Sequence, residues 1–266
     1  MKKKNVLYRR LAAGAMTLLV VLASFAFPAK AENLKQSVYA YGQSLTAEQK
    51  KETARLLGVS DKALEMQVNI DEMNTLLHDQ YDYYQVYSSV YLEPSDKDSG
   101  VKVEIVTPKT ITDITATQYA NAAITAGATN MTIRVASVKA VDGSGALAGV
   151  YKAFSGTTGT LPEENVKAAQ EELEVTSKIT SEKQGKDGYS DELLNAALAE
   201  MKAQIAKQKQ ENGGTISVGD ITTIINTVVN NYHLDGVLND ADISSLQSLM
   251  EQFSKTELTE EQRANL

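Results

Sequence analysis

Between residues 65 and 138, four short runs alternate apolar and polar side chains with a period of two. No other feature constrains the fold of this chain as strongly. Met66, Val68 and Ile70 alternate with Glu65, Gln67 and Asn69. In 83–92, Tyr84, Val86, Val90 and Leu92 fall on one side, and Tyr83, Gln85, Tyr87 and Tyr91 on the other. Val101, Val103 and Ile105 alternate with Lys102 and Glu104, and Met131, Ile133 and Val135 with Thr132, Arg134 and Ala136. Successive side chains of a strand point to opposite faces, so each run reads as a half-buried strand. A short helix from about Asp71 to His78 follows the first run. An alanine-rich helix, opened by the capping-box pair Thr115 and Gln118 and closed by Gly127, precedes the last. Turn residues Asp96 to Gly100 join the second and third runs into a hairpin. The order strand, helix, strand, strand, helix, strand predicts a ferredoxin-like split βαβ domain. That plan is a four-stranded antiparallel sheet with both helices on one face.

Outside this block the period is that of helices. Thr46 and Gln49 open a helix over Ala47 to Leu57, which Gly58 ends. Ala146 to Phe154 is apolar nearly all round and predicts a buried helix, with a break at Gly156 to Gly159. Further helices are expected from Pro162 to about Lys178, Asp191 to Gln210, Val218 to Asn230 and Asp240 to Phe253. The chain thus reads as α+β: a sheet domain over 32–156, then a helical region over 157–266. Residues 1–31 have the order of a secretory signal peptide. Five cations from Lys2 to Arg10 come first, then apolar Leu11 to Phe27, then Ala29-Lys30-Ala31, which predicts cleavage before Glu32. An exported protein, extracellular or associated with the cell envelope, is the expectation.

Charge and composition exclude several classes of function. The net charge is −8, but the leader holds six cations and no carboxylate, so the remaining 235 residues carry 20 cations against 34 carboxylates. That balance repels phosphate backbones and anionic headgroups, so neither nucleic acid nor, after signal cleavage, a membrane surface is an expected partner. With Cys 0, disulfides, thiolate catalysis and cysteine-held metals are ruled out.

Several segments together resemble one known family. Ile114-Thr115 and Gln118 through Gly127 carry the resemblance, with Ile133 to Ser137, Gly145 to Ala153, and Tyr87-Ser88-Ser89 through Val101 to Thr107-Pro108. Over roughly 35–210 the chain is similar to the YpuA-like secreted family, domain of unknown function 1002. The resemblance implies an exported protein of low-GC Gram-positive bacteria, with no catalytic residues to carry over.

Two surfaces stand out as candidates. Tyr83, Tyr87 and Tyr91 share the sheet face expected to lack helices, with Lys102 and Arg134 beside them. Aromatic rows of this kind stack sugars or anchor protein partners. The small residues around Asn121, Ala122, Ala126 and Gly127 let another backbone approach closely, either the chain's own sheet or a second copy. Other patterns fail on context. Ser99-Gly100-Val101-Lys102 fits S-x-x-K but lies at a turn without its companion motifs. Asn231 to Asp242 lies on a calcium-loop spacing with three unsuitable ligands, so Gly236 and Asn239 read as helix punctuation and no metal is expected. Glu163 with Glu164 and Asp240 with Asp242 are too close in sequence to flank one bond, because helix neighbours at that spacing point apart. No cofactor is implied. The reading is a secreted, non-catalytic binding or assembly protein of the envelope. Its partner would be an envelope protein or cell-wall component, a second copy included. The alternative is a hydrolase of envelope polymers using carboxylates from distant segments.

Overall fold

The computed structural model describes residues 34–78, 80–158, 162–264 and 266. Residues 1–33, where a signal peptide and its cleavage site are expected, lie outside the described residues. The fold is α+β, with a mixed five-stranded sheet followed by a helical region. The strands are β1 (Val38–Gly42), β2 (Leu64–Val68), β3 (Ser89–Pro94), β4 (Val101–Ile105) and β5 (Met131–Ala136). Among the described residues the longer helices are α1 (Ala47–Leu57), α3 (Ala116–Ala126), α4 (Ser144–Thr158), α5 (Glu163–Lys183), α6 (Asp191–Glu211), α7 (Val218–Asn231) and α8 (Asp240–Phe253). Two short ones, α2 (Met73–Leu77) and α9 (Glu260–Ala264), and a single 3-10 turn at Ile70–Glu72 accompany them.

The sheet differs from the expected antiparallel plan in strand number and order. It runs β2-β1-β3-β5-β4, with β1 parallel to β2, β4 parallel to β5, and β3 antiparallel to both its neighbours. Strand β1 is additional; Val38, Tyr39 and Ala40 are all fully buried, so it carries no polar alternation to betray it. Strands β3 and β4 do not form the expected hairpin, because β5 lies between them. Asn130, just before β5, holds the wedge open. Its carbonyl accepts from Ser95 N at 3.0 Å and its side-chain oxygen from Gly100 N at 3.1 Å, bonding both arms of the turn at once.

Helices cover both faces of this sheet. Val38, Ala40, Val68, Val90, Leu92, Ile133 and Val135 share one apolar core with α2, α3 and α4. On the opposite face, Tyr39, Tyr91 and Ala136 cluster with Leu57 of α1. Tyr39 Oη donates to Lys50 O at 3.1 Å, and Ser60 N donates to Tyr91 Oη at 3.4 Å, so each buried phenol is tied to α1 or to the turn after it. The connections β1-α1-β2 and β4-α3-β5 step the same way across the sheet between parallel strands, yet their helices lie on opposite faces. The two crossovers are therefore of opposite hand, against a strong right-handed preference.

Helix α5 belongs to two cores. Val166, Ala169 and Leu173 join the sheet core, while Ile179 joins a second core built from α6, α7 and α8, including Leu198, Ile205, Ile225, Leu246 and Phe253. Among the described residues no helix is long and apolar enough to cross a membrane.

Candidate functional site

Strands β1, β2, β4 and β5 all end at the same edge of the sheet, and α1, α3 and α4 start from the connections there. In open sheets that carboxyl edge is where ligands settle. Across it runs residues 80–88, which pair with no strand. Their sequence, Gln-Tyr-Asp-Tyr-Tyr-Gln-Val-Tyr-Ser, is rich in tyrosine.

Two anchors hold this segment. Near its start, Tyr81 N donates to Asn74 Oδ1 at 3.0 Å. Near its end, Val86 N donates to Ser44 Oγ at 2.9 Å, Val86 O accepts from Ser44 N at 3.1 Å, and the Val86 side chain is buried. Gly42 permits that crossing, since a Cβ there would sit 2.1 Å from the Val86 carbonyl oxygen. Between the anchors, Tyr81 and Tyr84 are 68% and 79% exposed. The Tyr83 ring is half-buried and tilted against Tyr81, centroid to centroid 5.9 Å. Tyr87 Oη accepts from Lys139 Nζ at 2.9 Å.

Beside the segment lies a cleft of about 440 Å³, lined by Tyr81, Tyr83, Asp113, Asp142, Gln170 and Glu174, among others. Asp142 accepts from Ser144 N at 3.0 Å and Ser144 Oγ at 2.9 Å, which fixes its carboxylate at the start of α4. Gln170 Nε2 donates to Glu174 Oε1 at 3.2 Å, while its Oε1 is buried with no hydrogen-bond partner among the described residues. Flat aromatic faces next to several acceptors suit a ligand with C–H faces and hydroxyl or amide donors.

The structure separates the residues that the sequence places in one row. Tyr83 and Tyr87 belong to the unpaired segment, but β3 starts only at Ser89, so their alternation does not continue to Tyr91. Tyr91 is fully buried beneath α1. Arg134 lies near it, its guanidinium 5.9 Å from the Tyr91 ring, paired with Glu93 at 2.6 Å and Glu104 at 3.7 Å. Lys102 is exposed on the edge strand β4.

The small-residue helix is used within the chain. Asn121, Ala122 and Ala126 are buried in α3, which packs on α5. Asn121 Nδ2 donates to Asn195 Oδ1 at 2.9 Å, and Gly127 O accepts from Gln262 Nε2 at 2.9 Å. Asp242 caps α8 together with Asn239 and forms a buried ion pair with Lys183 at 2.7 Å. His78 and His233 both adopt left-handed backbone at helix ends, φ 54 and 55. Sequence reasoning missed Asp113, Asp142, Gln170 and Lys139 because they come from the β4–α3 connection, the β5–α4 connection and α5, which only the fold brings together.

No solved structure matches the chain. The uncharacterized protein YpuA of Bacillus subtilis (strain 168) is 26% identical over 260 residues, covering 96% of this chain and 83% of that protein. A family model described as protein of unknown function, DUF1002, matches residues 41–265. That span takes in the sheet apart from the start of β1, with the tyrosine segment, the cleft and the helical region, and the chain belongs to the DUF1002 family.

Proposed function

We propose that this is an exported binding protein of the bacterial cell envelope, and that it holds a strand of cell-wall glycan in the cleft beside the tyrosine segment. One observation carries the reading. Residues 80–88 are anchored at both ends yet leave Tyr81 and Tyr84 exposed, and Tyr81 and Tyr83 line an acceptor-rich cleft beside them. A sugar ring offers an apolar face for a phenol and hydroxyls for Asp113, Asp142 and Gln170, so both halves of the lining are used by one ligand. A chain with so large an excess of carboxylates does not favour the anionic polymers of the wall, which leaves the glycan as the better match.

The test is co-sedimentation with purified peptidoglycan sacculi stripped of anionic polymers. The protein should pellet with them, and Tyr81→Ser with Tyr84→Ser should reduce the bound fraction severalfold without changing the melting temperature. Equal pelleting by that double variant would remove the tyrosine segment from the function.

A second reading, hydrolysis of the same polymer, rests on Asp113 and Asp142, which come from separate loops to line one cleft. It requires soluble reducing ends to appear during the incubation and to vanish with Asp142→Asn. Retention without such release favours binding alone.

A further inference from the structure

A second cavity, of about 380 Å³, opens between the last turns of α6, the end of α8 and the segment leading into α9. Its size falls within the range of small-molecule sites. Ile205 and Phe253 line it from the helical core, with Leu258 partly buried beside them. Three cations, Lys209, Lys255 and Arg263, share the lining with a single carboxylate, Glu257. In a chain with 34 carboxylates against 26 cations, that local balance is inverted.

The cations are not neutralised by ion pairs. Lys209 Nζ donates to the main-chain oxygens of Ser254 at 2.7 Å and Thr256 at 2.8 Å, both uncharged. Lys255 Nζ meets Gln252 Oε1 at 3.1 Å, and Arg263 Nη1 donates to Leu258 O. Among the described residues, no carboxylate forms an ion pair with any of the three. Burial pulls the Lys209 pKa below the ordinary lysine value, and Glu257 opposes this only in part. An ammonium has three donors, so one on Lys209 remains for a ligand.

We propose that this cavity binds a small organic monocarboxylate with an aliphatic body, its carboxylate on Lys209 and its chain against the half-buried Ala206 and Leu258. The ligand restores the counter-charge that Lys209 lacks and covers apolar wall with the same molecule. A bare inorganic anion leaves the exposed parts of Ala206 and Leu258 in water, and a neutral aliphatic leaves the cation uncompensated. The site is independent of the tyrosine cleft, since the two share no lining residue.

Isothermal titration of the full-length mature chain with octanoate tests this, with octan-1-ol as the neutral comparison. Octanoate should bind at one site per chain, at least tenfold more tightly than octanol. Lys209→Met should weaken it tenfold or more. Because Lys209 also ties down the end of α8, Ala206→Trp serves as a second variant, filling the cavity while leaving those bonds in place; it should abolish binding with the circular dichroism spectrum unchanged. Absence of saturable octanoate binding to the folded wild-type chain would overturn the proposal. So would octanol binding as tightly as octanoate, or undiminished binding by a folded Ala206→Trp variant.

Discussion

Helix α6 packs against two sets of neighbours by opposite means. Toward α7 and α8 the contact is aliphatic: Ile205, Ile221, Ile225, Val228, Leu246 and Leu249 are buried together. Toward α3 and the middle of α5 it is polar. Asn195 accepts from Asn121, and Lys202 pairs with Glu172 at 2.7 Å with both side chains 2% exposed. Lys202 Nζ also donates to Thr125 Oγ1 at 3.1 Å, and the network continues between α3 and α5, where Thr125 Oγ1 donates to Glu172 Oε2 at 2.7 Å and Gln118 Nε2 to Thr176 Oγ1 at 3.2 Å. An apolar seam gains from burial in many registers, whereas a dry ion pair is satisfied in only one. The difference teaches a division of labour. The aliphatic seam holds the helical region together, and the polar seam sets where that region sits on the sheet.

The largest effect should come from leaving one buried charge alone. Glu172→Ala strands the Lys202 ammonium and should cost about 3–5 kcal/mol in urea unfolding, while Glu172→Met with Lys202→Met should recover most of that loss. A cost below about 1 kcal/mol for the single variant would mean that water reaches the seam, and the comparison would fail. In the aliphatic seam, Leu246→Ala should cost about 3 kcal/mol through lost burial and an unfilled cavity, with no second substitution across the seam able to restore it.

At neutral pH the smallest effect is expected from the buried phenols, all on the sheet side. Burial raises the pKa of Tyr39, Tyr119 and Tyr151 above the ordinary tyrosine value. Their neutral forms are favoured by the fold, so this stabilisation is complete below about pH 10 and declines above it, as the unfolded chain gives up its phenolic protons first. Absorbance at 295 nm should show these three ionising only with unfolding. Hydrogen exchange under alkali should open the sheet before α7 and α8, and the reverse order would contradict the assignment of the tyrosines to the sheet core.

Local signals in the sequence were legible where local chemistry decides. The capping boxes at Thr46 and Thr115 form as expected, with Gln49 and Gln118 reciprocating, and Asn239 caps α8 with Asp242. Long-range pairing was not legible. Strand β1 is buried on both faces and so lacks alternation, and nothing near the turn at 96–100 announces that Asn130, thirty residues on, will part its arms. Element order alone does not specify crossover hand, and the sheet has one crossover of each hand, against the usual preference. The tyrosine row was half legible. Its composition is plain in the sequence, but the break between Tyr87 and Tyr91 depends on where β3 begins, which neighbouring strands set.

Gly42 has no side chain to offer a ligand, yet the tyrosine segment passes through the space it leaves empty. The Val86 carbonyl occupies that space, and Ser44 holds it there. An added methyl at this position would collide with the Val86 backbone, so the segment that presents Tyr84 would have to shift although no recognition contact is touched. A survey that ranks positions by their chemistry would pass over Gly42 and still find the cleft misaligned when it changes. The shape of this surface is encoded by an omission.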